Sequence, residues 1–185
     1  MNSNRKPRRP LVDRDQVLDR CLSAFVRAGT LDLSLDELAG MVGSSKRMLI
    51  HYFHGRERIE ELALTRLEER LRGQFHPDAL PKGIALEKVM TLLWERTSHP
   101  GARGVLLLVM SATQRAWSGS KRAQEFYRQQ QRLWADMLLA FCSDRTTVDA
   151  ALQLFQGATL TYLVTGDRKL GLRAIRRFFK AGKRR

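Results

Sequence analysis

Apolar residues recur at three- and four-residue spacing along most of the chain, which is the period of amphipathic α-helices. One such stripe, near the start of the chain, consists of Val17, Leu18, Cys21, Leu22 and Phe25. Gly29 follows this stripe and is a natural helix end. No segment alternates apolar and polar residues as a half-buried strand would, and no internal repeat is visible. The pattern therefore predicts an all-α protein.

Two short helices are predicted between residues 34 and 54, because each has its own start signal. Ser34 and Glu37 have the spacing of a capping box, in which each side chain bonds the backbone amide of the other residue. Gly43 is expected to end this helix, and Ser45 to cap the next one. Gly55 is expected to interrupt that next helix.

The helix predicted after Ser45 has an apolar face and a basic face. At about 100° per residue, Leu49, Tyr52 and Phe53 fall together and are expected to pack inward. The opposite side carries Arg47, Ile50, His51 and His54, with Lys46 and Met48 on the flanks. Three short helices with this outward basic face are the layout of a helix-turn-helix, whose last helix enters the major groove of DNA.

The rest of the chain also has helical periodicity. A fourth helix is predicted over residues 56–72, and the stretch 73–83, which contains Pro77 and Pro81, is typical of a boundary. Beyond this boundary, helices are predicted over about residues 84–98, 103–117, 121–143, 146–165 and 168–180.

The charge distribution adds a partner class to this picture. The 185 residues include 33 Lys and Arg against 19 Asp and Glu, giving a net charge of +14, which favours a polyanionic partner. Residues 168–185 contain nine basic residues and no acid. With only two cysteines, no signal-like start and no apolar run longer than residues 105–110, we expect a cytoplasmic protein without a membrane partner.

The order and spacing of these signals resemble those of the tetracycline-repressor-like (TetR) family of bacterial regulators. The matching positions are Leu18, Phe25, Gly29, residues 34–39, Gly43, Ser45, Lys46, Leu49, residues 51–53 and Arg56. The resemblance covers about residues 12–63. It implies a homodimer whose two amino-terminal heads bind the halves of a palindromic double-stranded DNA operator. It also implies carboxy-terminal helices that dimerise and bind a small-molecule effector, so that the protein acts as a ligand-responsive repressor.

The resemblance further implies which side chains face DNA. They are Ser34, Ser45, Lys46, Arg47, Met48, His51, Tyr52 and Arg56, of which Ser34 and Arg56 are expected near phosphate. The family usually has a small residue and Thr at positions 47 and 48 and Tyr at position 50. Arg47, Met48 and Ile50 therefore predict a different operator, in which Arg47 can read a guanine edge.

These inferences divide the chain into four parts. Residues 1–11 are predicted as a flexible basic arm, and residues 12–56 as the helix-turn-helix DNA-binding domain. Residues 57–180 are predicted as the helical effector-binding and dimerisation domain, and residues 181–185 as a basic tail.

Bulky, semi-polar side chains in the carboxy-terminal part are candidates for effector contacts. They are Trp94, Met110, Gln114, Trp117, Tyr127, Trp134 and Met137. Each of them also fits ordinary core packing, but as a group they favour a lipophilic or aromatic effector. Alternatively, Arg96, His99 and Arg115 could orient an anion.

The last two predicted helices are too apolar for a solvent-exposed end of the chain, which predicts a dimer interface. Its candidate residues are Phe155, Tyr162, Leu163, Ile175, Phe178 and Phe179.

Two functions of other classes remain open on the sequence alone. A nonspecific nucleic-acid binder would use the basic ends and show no sequence preference. A helical enzyme has little support, because no paired carboxylates, nucleophile with a base, or phosphate loop is recognisable. We expect no cofactor and no metal, since His51 and His54 have no third ligand nearby in the sequence.

Overall fold

The computed structural model describes residues 13–182, and the regular structure in this range is entirely helical. Within it the α-helices are α1 (Arg14–Ala28), α2 (Leu35–Val42), α3 (Lys46–Phe53), α4 (Arg56–Gln74), α5 (Leu86–Thr97), α6 (Arg103–Trp117), α7 (Lys121–Leu138), α8 (Arg145–Thr165) and α9 (Arg168–Gly182). Short 3-10 helices lie at Pro77–Ala79 and Pro100–Ala102. The predicted arm (1–11) and residues 183–185 lie outside the described residues, whereas residues 181 and 182 extend α9.

The predicted ends of α1 and α2 and the predicted starts of α2 and α3 are confirmed. Ser34 and Glu37 form a reciprocal capping box at the start of α2, and the Ser45 hydroxyl accepts a hydrogen bond from the Met48 amide at the start of α3. Gly43 ends α2 with a φ of 66°, a left-handed conformation that glycine adopts without strain. The end of α3 differs slightly from the prediction, because His54 takes the left-handed position and Gly55 starts α4.

Helix α4 ends two residues later than predicted, and helix α7 ends five residues earlier. Helix α4 continues through Gly73 to Gln74, because a single glycine costs a helix only about 1 kcal/mol and packing can offset this cost. Helix α7 ends at Leu138 instead of residue 143. There the chain turns through tighter hydrogen bonds, from the Ala140 amide to the Met137 carbonyl and from the Phe141 amide to the Leu138 carbonyl.

The buried apolar side chains form two clusters. The first cluster joins α1–α3 to α4 through residues such as Phe25, Leu49 and Ile59, and it includes Leu108 of α6. The second cluster is built mainly from α5, α7, α8 and α9, and it includes Leu106 of α6. Helix α6 therefore contributes to both cores, so the predicted DNA-binding part is packed directly on the effector part.

Two glycines permit unusually close helix packing. A Cβ atom at Gly104 of α6 would overlap the carbonyl oxygen of Val26 on α1. A Cβ atom at Gly171 of α9 would overlap the indole ring of Trp94 on α5. Both contacts join segments that are far apart in the sequence, and neither is apparent from helical periodicity. No helix within residues 13–182 is both long enough and apolar enough to cross a membrane.

Candidate DNA interface and effector cavity

Helix α3 is held on the first three helices by its apolar side. Leu49 and Phe53 are fully buried in the first cluster, and Tyr52 is half-buried beside them. Arg14 of α1 donates a hydrogen bond to the Tyr52 carbonyl (3.2 Å) and lies over the Phe53 ring. The inward face predicted from the helical wheel is therefore confirmed.

The opposite face of α3 is exposed. Arg47 and His51 lie on it, and Met48 and Ile50 are respectively 37% and 43% exposed although both are apolar. Among residues 13–182, the Arg47 guanidinium has no ion-pair or hydrogen-bond partner. On such a face the arginine can donate hydrogen bonds to a base edge, and the neighbouring apolar side chains can contact a thymine methyl group.

Several polar residues around α3 already form hydrogen bonds or ion pairs within the protein. The Lys46 ammonium lies 2.8 Å from the Asp36 carboxylate of α2, so the pair braces the two helices against each other. The Ser34 amide donates to the Glu37 carboxylate (2.8 Å), and this contact lowers the pKa of Glu37. The hydroxyl oxygens of Ser34 and Ser45 accept hydrogen bonds as helix caps. Each hydroxyl can still donate its hydrogen to another group.

Arg56 lies in an ion-pair network that the sequence did not predict. Its guanidinium donates to the Leu33 carbonyl (3.3 Å) and lies 3.0 Å from the Glu60 carboxylate. Glu60 is buried, and its second partner is Arg115 of α6. Arg115 also donates to the Asp32 carboxylate (2.8 Å).

This network connects the candidate DNA interface to the predicted effector part. Arg115 reaches from α6 to the loop that precedes α2, where it also donates to the Leu31 carbonyl (3.2 Å). Its hydrogen bond to Asp32 is the main cause of a lowered pKa of that carboxyl group. The only sequence signal for the network was the four-residue spacing of Arg56 and Glu60, because Arg115 lies more than fifty residues away.

A cavity of about 750 Å³ lies between α4, α5, α6, α7 and α8. Four predicted effector residues line it, namely Met110, Trp117, Tyr127 and Trp134. Leu64, Val109, Phe126 and Leu152 are among the apolar side chains that complete its wall. Its volume and mostly apolar lining are those of a site for a drug-sized ligand.

The other three predicted effector residues do not line this cavity. Trp94 is fully buried, and its indole N–H donates to the Arg168 carbonyl of α9 (3.1 Å), so it belongs to the second cluster. Met137 is half-buried against that same cluster. Gln114 is exposed on α6. The prediction failed here because residue type does not distinguish the side of a helix that faces a cavity.

The three basic residues considered for anion binding lie apart. Arg96 lies over the Phe75 ring, and His99 accepts a hydrogen bond from the Gly101 amide. Neither of them lines the cavity, whereas Arg115 does so while paired with Glu60 and Asp32. The structure therefore does not bring these residues together as an anion site.

One polar cluster on the cavity wall was not predicted. The Glu68 carboxylate accepts a hydrogen bond from the indole N–H of Trp134 (2.8 Å), and Arg72 donates to the side-chain oxygen of Gln130. Glu68 and Gln130 are both buried. Burial raises the pKa of Glu68, and this effect exceeds the opposing effects of Trp134 and Arg72. Its position one turn after the buried Leu64 was the only hint that Glu68 faces inward.

The chain matches no sequence-family profile, and no curated protein is similar to it in sequence. Solved structures do resemble it. A transcriptional regulator from Rhodococcus sp. has a TM-score of 0.75 at 14% identity, covering 92% of this chain and 95% of its own. A TetR-family transcriptional regulator from Streptomyces coelicolor has a TM-score of 0.69 at 19% identity, covering 90% and 80%. The chain has the TetR-like fold.

A third structure with the TetR-like fold is the multidrug-binding protein EbrR, solved in complex with imidazole. It has a TM-score of 0.67 at 19% identity and covers 89% of this chain and 88% of its own. At these sequence identities the likeness is one of fold.

Part of the predicted dimer face is buried within the TetR-like protomer. Tyr162 and Ile175 are core residues of the second cluster, and Phe155 packs edge-on against Trp94. Leu163, Phe178 and Phe179 are half-buried. The prediction did not separate the inner from the outer side of α8 and α9. The exposed large apolar side chains of α8 are instead Leu160 (47%), which also lines the cavity, and Val164 (78%).

Potential metal ligands do not cluster in the described part of this TetR-like fold. No group of three or more His, Cys, Asp or Glu side chains within residues 13–182 is arranged to hold an ion. Cys21 is fully buried in the first cluster, and its burial raises the thiol pKa to about 11, so it is a small apolar core residue.

Proposed function

We propose that the chain is a ligand-responsive, sequence-specific DNA-binding transcriptional regulator of the TetR family that acts as a repressor. The observation that carries the proposal is the outward face of α3, with Arg47, Met48, Ile50 and His51 exposed opposite the buried Leu49. The resemblance of the whole fold to transcriptional regulators supports it. The multidrug-binding description of EbrR supports a ligand role for the cavity.

Arg47 supplies base recognition in this proposal, because it is unpaired within residues 13–182 and exposed on α3. Lys46, His51, Tyr52 and the hydroxyls of Ser34 and Ser45 add contacts around it. Arg56 binds phosphate through the donors that the Leu33 carbonyl and Glu60 leave free. We therefore assign residues 12–56 to DNA binding and residues 57–180 to effector binding and dimerisation.

The protein binds a palindromic operator as a homodimer. The support is the exposed side of α8, where the apolar side chains of Leu160 and Val164 are accessible and Gly157 permits close approach. A second copy of the chain is the simplest partner to bury these apolar side chains, because twofold symmetry brings identical faces together. Two α3 helices would then bind half-sites about 34–36 Å apart, or a multiple of that distance.

An effector acts by changing the spacing of the two α3 helices. Helix α4 lines the cavity and packs on α1 and α3, and Arg115 links the cavity wall to the loop before α2. A ligand that moves α4 or displaces Arg115 therefore also moves the DNA-binding part. A coupling free energy of about 1–3 kcal/mol would change operator affinity roughly 5- to 150-fold. Equal operator affinity of ligand-bound and free dimers would contradict this mechanism.

The proposal is tested by selecting bound sequences from a random duplex library at near-physiological salt. We expect one palindromic motif, whose half-sites are separated as the dimer requires. Recovery of a motif identifies the operator and supplies the probe for ligand studies. Binding without any motif, lost steeply as salt rises, would overturn sequence-specific recognition.

A nonspecific nucleic-acid binder is the second candidate, favoured by the net charge of +14 and the nine basic residues in 168–185. The same selection separates the two functions. Competition by unrelated duplex DNA should leave a sequence-specific complex largely intact and should dissolve a nonspecific one.

A further inference from the structure

We propose that the cavity between α4 and α8 binds a lipophilic aromatic cation, whose charge is held by the Glu68 carboxylate. This inference rests on the proposed function, because it names the chemical class of the effector for the same cavity. Three features of the cavity carry it: the charges of its lining residues, the incomplete pairing of Glu68 and the aromatic side chains of its wall.

The lining of the cavity is acidic although the protein is strongly basic. Five carboxylates line it, those of Glu57, Glu60, Glu61, Glu68 and Glu125. Only three cationic side chains do so, those of Arg56, Arg115 and Arg122. The lining therefore has the opposite charge balance to the chain as a whole, whose net charge is +14, and it offers an anionic ligand few cationic side chains.

Most of these carboxylates already have close cationic partners within the protein. Glu60 pairs with Arg115, and its other oxygen lies 3.0 Å from Arg56. Glu61 pairs with Arg58 at 2.6 Å and with Arg122. These ion pairs neutralise the carboxylates and leave the arginines already paired. An anionic ligand would therefore have to compete with the carboxylates for the arginines.

Glu125 likewise faces Arg128 at 3.4 Å and Arg132 at 3.3 Å, and its side chain is 63% exposed to solvent. It therefore provides an accessible carboxylate on the same cavity, with cations of its own and with water to screen it. Glu125 is therefore less suited than Glu68 to hold the charge of a bound cation.

Glu68 is paired far less completely. It is only 9% exposed, and its closest partner is the uncharged indole N–H of Trp134 at 2.8 Å. The nearest Arg72 nitrogen lies 3.9 Å away, and that guanidinium donates to Gln130 instead. A buried carboxylate without a close cation is costly, and a cationic ligand in the cavity would offset this cost.

The aromatic side chains of the cavity wall suit the apolar part of such a ligand. Trp134 forms a wall of the cavity and also holds the Glu68 carboxylate. Phe126, Tyr127 and Phe155 provide further aromatic surface. Aromatic faces attract cations within about 6 Å and also bury aromatic ligand rings. The volume of about 750 Å³ admits a ligand with two or three rings.

The test compares two fluorescent probes that have nearly the same shape and different charge. The cation is N-methyl-(dimethylaminostyryl)pyridinium, and the neutral analogue is the same dye without its N-methyl group, used at mildly alkaline pH, where it is uncharged. Binding to the 185-residue protein is followed by fluorescence titration. We expect the wild-type protein to bind the cation roughly tenfold or more tightly than the neutral dye.

Two variants locate the charge that recognises the probe. Glu68→Gln keeps an acceptor for Trp134 and removes the charge, so cation affinity should fall roughly tenfold or more while neutral-dye affinity changes less than about twofold. Glu69→Gln makes the same change at the next position of α4, where the carboxylate is exposed and does not line the cavity, and it should alter neither affinity. Thermal unfolding of each variant checks that it is folded.

Equal affinity of the wild-type protein for both dyes, or unchanged selectivity in Glu68→Gln, would overturn the proposal. Failure of both dyes to bind would also overturn it. In that case, recovery of an operator motif would still support the regulator function. Conversely, cation-selective binding without any operator motif would support the ligand site and reject the transcriptional role. The two hypotheses can therefore fail independently.

Discussion

Arg47 and Glu68 show how far single residues can be interpreted from the sequence. The prediction placed Arg47 on the outward side of α3 from the wheel alone, and the structure exposes it there. Local periodicity was sufficient because Leu49 and Phe53 fix the inward side. The position of Glu68 was not predictable in this way, since its burial depends on Trp134, 66 residues further along the chain.

Replacing Arg47 with Ala should relax operator specificity at one position per half-site. A bidentate arginine contact with guanine contributes about 1–3 kcal/mol of discrimination, which Ala cannot supply. Selection with the variant protein measures the change in base preference. Arg132→Ala removes an equally positive, exposed side chain on α7 and should leave the motif intact. An unchanged motif in the Arg47 variant would remove this residue from base recognition.

Replacing Glu68 with Gln should raise the thermal stability of the ligand-free protein at neutral pH. The pKa of Glu68 is raised in the folded state, so folding favours its protonated form and ionisation destabilises the protein. Wild-type stability should therefore decline as pH rises from the ordinary carboxyl pKa of 4.5 through the raised value. Melting temperatures measured from pH 4 to 8 should converge at the acidic end. If the wild-type protein were more stable than the variant at pH 8, the attraction of Arg72 would fully offset the cost of burying the ionised Glu68 carboxylate.

The elements whose ends depend on local hydrogen bonds were predicted well. Ser34 with Glu37, Gly43 and Ser45 all act within a few residues of their own positions, and the structure confirms each of them. The ends of α4 and α7 were missed because tertiary packing decides them. Gly73 remains helical within a nineteen-residue helix, and the chain turns after Leu138 so that Leu139 and Phe141 can pack on the second cluster.

Two glycine substitutions test this difference between local preference and packing. Gly171→Ala should destabilise the protein by about 1–3 kcal/mol, because the new Cβ would overlap the Trp94 indole in a closely packed contact. Gly73→Ala places the same methyl group in open space on α4 and should stabilise the protein by about 0.5–1 kcal/mol. Denaturant unfolding measures both changes. Equal effects of the two substitutions would argue against the close contact of α5 and α9.

At the scale of the whole molecule, a network of charged side chains joins parts that the sequence treated separately. Arg115 of α6 contacts the loop before α2 and Glu60 of α4, and Glu60 also contacts Arg56 at the candidate DNA interface. The shared first cluster, which includes Leu108, strengthens this connection. A continuous chain of charged contacts therefore runs from the cavity wall to the loop before α2 and to the start of α4.

Replacing Arg115 with Met should lower the free energy of unfolding by about 1–3 kcal/mol, because it removes one of the two partners of the buried Glu60. Arg122→Met provides the control. Arg122 also lines the cavity, but it pairs with Glu57 and Glu61 near the surface, where such pairs contribute at most about 1 kcal/mol. Urea unfolding compares the variants. Similar losses of unfolding free energy in both variants would mean that the burial of Glu60 does not strengthen its pair with Arg115.

Replacing Val164 with Asp should convert the proposed homodimer into monomers, since it would bury two unpaired charges at the centre of the symmetric face. The side chain is 78% exposed in the protomer, so the fold itself should tolerate the change. Light scattering gives the mass, and affinity for the full palindrome should fall towards that for one half-site. Leu133→Asp, on an exposed position of α7, should remain dimeric. A dimeric Val164 variant would place the interface elsewhere.

The sequence by itself determined the helical class, the ends of α1 and α2 and the two-faced character of α3. These features depend on contacts within one or two helical turns, which spacing and residue type describe directly. Only the tertiary structure decided which aromatic residues line the cavity, that Glu68 and Glu60 are buried, and which side of α8 is free. Each of these depends on the rotation and close approach of helices from distant parts of the chain, set by packing at positions such as Gly104 and Gly171.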